Sequence, residues 1–146
     1  MRFKIVSVGR ESADPFVPIV ADYLKRIAKS FPVDDVVLKG NRPDRVTERI
    51  LKEAEGTDLF IALDEKGKMY DSHRFSKEVS DWMMRGMSRV TFVIGPAEGL
   101  PEKVRAAAHQ LLSLSKMTLP HRMARLLLAE QLYRAICIIR GTPYQK

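Results

Sequence analysis

The chain has 146 residues, 45% of them hydrophobic, with 25 Lys and Arg against 18 Asp and Glu for a formal net charge of +7, and one cysteine. At this length one α/β domain over residues 1–146 buries about 68–70% of the surface of its unfolded chain, so neither a disulfide nor a structural metal is expected. Cys137 alone excludes an internal disulfide framework and a multi-cysteine zinc cage, no apolar run approaches the roughly 18 residues of a membrane span, and the start MRFKIVSVGRE carries no signal h-region; a cytoplasmic protein is expected.

Phe3 to Val8 alternates apolar and polar residues and stops at Gly9, which predicts an opening strand. Asp14-Pro15 gives an N-cap and first-turn signal, and Phe16, Val20, Tyr23, Leu24 and Ile27 recur at steps of three and four, the spacing of one helix face running to about Ser30. Val33 to Leu38 is a second strand. After the basic loop Lys39 to Asp44, the residues Val46, Ile50, Leu51 and Ala54 mark a short helix closed near Gly56.

Leu59 to Leu63 is a continuous apolar run, as in a strand covered on both faces, followed by a turn-rich loop from Asp64 to Asp71. Ser72 and Ser76 compete to cap a helix carrying Val79, Trp82 and Met83. Arg89 to Ile94 is again strand-like. It ends in Gly95-Pro96-Ala97-Glu98-Gly99, and Pro101 opens a helix to Ala108. A short strand over Leu111 to Leu114, a loop from Ser115 to Pro120 and a long helix from about Arg122 to Ile139 complete the chain. The fold class is α/β, a mostly parallel sheet with helices on both faces.

The charge excess lies entirely in residues 74–146, and from Lys103 onward eight basic residues meet one acid, Glu130. A solvated basic face and a polyanion partner both account for this. In open parallel sheets ligands sit beyond the carboxyl ends of the strands. Three loops there stand out: Leu63 to Gly67, Gly95 to Gly99, and Leu114 to His121. The glycines suit either a tight turn or close approach to a ligand. The last loop is rich in main-chain donors and acceptors bounded by Leu and Met, a composition that can hold an adenine.

The P-loop and dinucleotide-binding glycine patterns are missing, as are G-x-S-x-G and H-E-x-x-H. His73, His109 and His121 have no ligand partners nearby in sequence, so no metal is expected. On the final helix Leu126, Leu127, Leu128, Leu132, Tyr133, Ile136, Ile138 and Ile139 spread apolar surface around much of the circumference. Burial in the core or against a second subunit would use it.

LDEKGK, FVIGPAEGL, LSLSKMTLPHRMARLLLAEQLYRA and the terminal GTPYQK together resemble the small knotted SPOUT-class methyltransferases, specifically the ribosomal RNA large subunit methyltransferase H family, over essentially the whole chain. The resemblance implies a homodimer with a C-terminal trefoil knot. It also implies S-adenosyl-L-methionine as cofactor and methylation of N3 of a pseudouridine in large-subunit rRNA within the ribosome.

Carried over residue by residue, it implies a cofactor site at Leu63, Gly95, Leu114, Ser115, Lys116, Met117, Thr118 and Leu119. His121, Arg125 and Tyr144 fall at positions that act on the RNA, and Glu130 and Arg134 form an i, i+4 pair. Pro96 stands where the family has a second glycine, and Gln145 where it has a histidine. A catalytically inactive ribosome-associated binding protein, or a methyltransferase of another RNA such as tRNA, are the alternatives.

Overall fold

A computed structural model describes residues 1–9, 14–40 and 42–144 of the chain. Strands and helices alternate as β1 (Arg2–Val8), α1 (Val17–Ala28), β2 (Val33–Leu38), α2 (Pro43–Glu53), β3 (Leu59–Met69), α3 (Ser72–Met84), β4 (Arg89–Ile94), α4 (Glu102–Ala107), β5 (Gln110–Ser113) and α5 (His121–Arg140). Among the described residues the strands form one sheet in the order β2-β1-β4-β3-β5, each adjacent pair parallel.

Successive side chains on a strand point to opposite faces, and both faces of this sheet are covered. Phe3, Ile5, Ile61, Phe92 and Ile94 pack against Ile27 of α1, Phe75, Val79 and Trp82 of α3, and Leu128, Leu132 and Ile136 of α5. Their neighbours Val6, Val8, Phe60, Ala62 and Val93 face the other way, onto Val46 and Ile50 of α2 and Val104 of α4. Phe75, Val79 and Trp82 recur at helical spacing, so α3 presents one apolar stripe, and each such side chain contributes about 1.5–3 kcal/mol by its burial.

Three boundaries differ from those the sequence predicts. Asp14 is not the cap of α1: its Oδ1 accepts from the Phe16 N–H at 2.9 Å, a local turn that holds the chain before a helix starting at Val17 with Pro18 in its first turn. The cap of α3 is neither serine; Asp71 Oδ1 accepts from the Arg74 N–H at 2.7 Å, while Ser72 Oγ donates to Gln131 and Ser76 Oγ to the His73 carbonyl.

The third difference shapes the site. β3 does not end at Leu63 but runs to Met69, pairing with β5 on both sides of a register shift between Leu63 and Lys68. The polar run after Leu63 therefore bulges out and returns to the sheet. Gly67 makes the return possible, since a Cβ there would lie 2.6 Å from the Leu111 carbonyl carbon.

Candidate active site

β4, β3 and β5 are adjacent, so the segments that leave their carboxyl ends meet. A cavity of about 480 Å³ lies among them. The β3 bulge contributes Leu63, Asp64 and Glu65; the glycine loop contributes Gly95, Pro96 and Gly99; the last loop contributes Leu114, Ser115, Thr118 and Leu119. The walls are mainly apolar, with Ile94, Leu112 and Ala124 behind them.

Leu63, Gly95, Leu114, Ser115, Thr118 and Leu119 are thus brought together. Lys116 and Met117 are exposed residues of the same loop and are not among the cavity's lining; Met117 is 78% exposed.

Local hydrogen bonds shape the last loop. Ser113 Oγ donates to the Ser115 carbonyl at 2.9 Å, and Ser115 Oγ accepts from the Met117 N–H at 3.0 Å. Thr118 Oγ1 donates to Glu65 Oε2 at 2.7 Å, tying this loop to the β3 bulge. Among the described residues the main-chain N–H groups of Lys116, Thr118 and Leu119 are not spent on backbone hydrogen bonds. In the glycine loop, Gly99 has φ +99° and donates to the Pro96 carbonyl at 2.9 Å, so a tight turn is present. Gly95 is instead closely packed: a Cβ would lie 3.0 Å from Leu100 Cδ2 and 3.2 Å from its Cα, so Leu100 would have to give way by a few tenths of an ångström.

Two carboxylates that the motif reading did not single out stand at the cavity. Asp64, its side chain only 7% exposed, accepts from Arg105 Nη2 at 2.5 Å, and Glu65 holds Thr118. Arg105 is part of the basic excess seen in the sequence, yet it neutralises an acid of the first half. The signal available for Asp64 and Glu65 was their position, directly after the continuous apolar run that stops at Leu63.

His121 opens α5 and lines the cavity. Its imidazole also lines a shallow cleft with Gly9, Arg122 and Arg125. Arg125 is buried and ion-paired to Asp35 of β2, and it is not among the lining of the cavity.

Tyr144 lies elsewhere. Its hydroxyl donates to Glu130 Oε1 at 3.1 Å and sits 3.1 Å from the Tyr23 hydroxyl, and the Arg134 guanidinium stacks 4.3 Å from its ring centroid. Burial, the bond to Tyr23 and the negative charge of Glu130 push the Tyr144 phenol well above its ordinary range. Arg134 Nη2 and Nε reach Glu130 Oε1 at 2.6 and 2.9 Å, the expected i, i+4 pair. Glu130 follows His121 by nine positions, about 13 Å along a helix, so one chain does not bring Tyr144 to its own cavity. Gln145 lies outside the described residues.

A parallel α/β sheet with a largely apolar cavity beside adjacent strands is an arrangement in which such sheets bind small ligands, and the comparisons place the chain in a particular family. The family model described as "Predicted SPOUT methyltransferase" matches residues 1–145. The chain is 40% identical over 144 residues to the Ribosomal RNA large subunit methyltransferase H of Sorangium cellulosum, covering 99% of each chain. It is 40% identical over 159 residues to that of Allorhizobium ampelinum, covering 100% of this chain and 99% of the other.

Two solved structures share the fold. A probable methyltransferase from Bordetella pertussis has a TM-score of 0.61 at 15% identity, covering 92% of this chain and 94% of that one. A probable methylase family protein from Haemophilus influenzae has a TM-score of 0.59 at 12% identity, covering 99% and 70%. The chain belongs to the ribosomal RNA large subunit methyltransferase H family of SPOUT methyltransferases.

Proposed function

We propose that this protein transfers a methyl group from S-adenosyl-L-methionine to N3 of a pseudouridine in large-subunit ribosomal RNA, on the ribosome. The cavity carries the reading: at about 480 Å³ it falls in the range of small-molecule sites, and it joins the three segments whose motifs match the family. The residues present fit the cofactor. Leu114, Leu119, Ile94 and Pro96 offer apolar walls to a planar base, and main-chain N–H groups of the 115–119 loop offer hydrogen bonds to its edge. Lys116 and Met117 contribute through their backbone, as their exposed side chains suit.

When bound, the cofactor supplies a methyl group made electrophilic by its sulfonium. The protein's part is to orient the reactants, the source of most of the acceleration in a displacement between two held partners. Asp64, pinned by Arg105, and Glu65, tied to Thr118, fix the bulge that walls the cavity. His121, at the cavity edge beside the exposed Arg122, meets the RNA base and takes up the N3 proton. Arg125, anchored by Asp35, holds the first turns of α5 against β2.

The remaining pieces belong to an assembly of two copies. Met123 and Leu127 of α5 are 41% and 37% exposed, beside a second hollow of about 310 Å³ lined by Tyr70, Phe75 and Leu127. A second copy covers this face, and its Tyr144 serves the neighbouring cavity. The chain order, with β5 beyond β3 and α5 returning onto α1 and α3, suits a trefoil knot around the cavity. The protein works in the cytoplasm, and no metal takes part.

Mass spectrometry of ribosomal RNA from a strain lacking this protein tests the reading. The N3-methyl group is expected to disappear from one pseudouridine and to return with the wild-type gene. Intact methylation in that strain contradicts it.

A further inference from the structure

We infer that Gly9 is a positioning residue: its missing side chain forms the slot that holds the His121 imidazole at the edge of the cavity. The residue directly follows β1, and its N–H donates to the Leu38 carbonyl at 3.1 Å. Five glycines in the described residues have positive φ, and Gly9 is not among them. Backbone freedom therefore does not explain a glycine here.

Space does. A Cβ at residue 9 would stand 2.7 Å from His121 Nε2 and 3.1 Å from Cδ2, and the nearest atoms to it all belong to that ring. The Nε2 end of the ring abuts the Gly9 backbone, and His121 forms part of the wall of both the cavity and the cleft containing Arg122. β1 thereby reaches a site built otherwise from β3, β4 and β5.

The geometry makes alanine a clean probe. It fits the backbone, and it collides only with the far end of one side chain, so the protein folds while the imidazole moves. Carbon and nitrogen rarely approach below about 3.4 Å, so the ring must shift by a large part of an ångström. A misplacement of about 1 Å in a reacting constellation can cost on the order of 100-fold in rate.

The functional half of this inference rests on the role proposed for His121, and the test separates the two. Imidazole resonances of the cofactor-free protein are compared in wild type and Gly9→Ala. His121 is expected to shift while His73 and His109 stay; an unmoved His121 resonance overturns the slot.

Single-turnover methylation of ribosomes by the full-length protein is then measured in four forms: wild type, Gly9→Ala, His121→Ala and both together. Gly9→Ala is expected to lower the rate about ten-fold or more, with unchanged cofactor affinity, and to add nothing to His121→Ala. A further loss in the double variant, or full activity of Gly9→Ala, overturns the positioning role. Full activity of His121→Ala instead rejects the role given to that histidine, with the resonance shift still deciding whether the slot exists.

Discussion

The two rims of the sheet are built on opposite plans. At the amino ends of the strands, polar groups satisfy one another: Asp58 Oδ2 accepts from the Ser88 and Arg89 N–H groups at 2.7 and 2.9 Å, Lys4 meets Glu53 at 3.0 Å, and Thr57 and Thr91 share a hydrogen bond at 2.9 Å. At the carboxyl ends, apolar walls enclose a cavity, and several loop N–H groups make no backbone hydrogen bond among the described residues. A cavity of this size with main-chain donors at its edge suits a small ligand. On the proposed function, the upper, carboxyl rim is the binding side, while the lower, amino rim, which carries its own hollow of about 310 Å³ lined by Lys4, Glu53, Thr57 and Thr91, is held by these polar pairs.

The largest effect comes where the two plans meet, at the pair that closes the upper rim. Arg105→Ala strands the Asp64 carboxylate and is expected to lower unfolding free energy by about 2 kcal/mol, less than for a fully buried pair because Arg105 is 37% exposed. Urea denaturation measures it, and Asp64→Ala in the same chain should recover part of the loss.

Next is Leu119→Ala, which removes a cavity wall outside the two core clusters. Affinity for S-adenosyl-L-methionine should fall by about ten-fold with little change in Tm, as expected for losing most of one buried leucine side chain from a binding site.

Thr118→Val is smaller. It breaks the bond to Glu65, and a loss of about 1 kcal/mol, or several-fold in affinity, is expected in an equilibrium titration.

Asp58→Ala sharpens the contrast from the other rim, because its expected effect on cofactor affinity is nil while its Tm falls. Backbone bonds from Arg89 and Ser88 and the Ser88 hydroxyl hold the Asp58 carboxyl below its ordinary range. That stabilisation is fully present above the unfolded-state value of about 3.9 and is lost as pH falls through the lower folded-state value. The difference between wild type and Asp58→Ala in urea midpoint should therefore be constant above about pH 5 and close at lower pH.

Much of this was legible in the sequence for a physical reason. Helix faces such as Val20 and Ile27, or Val79 and Trp82, declare themselves by spacing, and fully covered strands such as Phe60 to Ala62 by continuous apolar residues. Two of the cavity segments follow from the ends of β4 and β5, and the third from the end of the apolar run at Leu63.

What stayed hidden depends on contacts between distant segments. The return of β3 at Lys68 buries little and relies on Gly67 meeting the Leu111 backbone, so no local pattern marks it. The link between Arg105 and Asp64 spans 41 positions, which is why the C-terminal basic excess reads as free charge in the sequence. Gly9 follows a strand unremarkably until His121 is folded onto it.

Calorimetric titration of S-adenosyl-L-methionine into wild type, Leu119→Ala and Asp58→Ala tests the division between the rims most directly. One site per chain is expected, weakened in Leu119→Ala and unchanged in Asp58→Ala. No binding to wild type, or equal affinity in all three proteins, would contradict the assignment of the upper cavity.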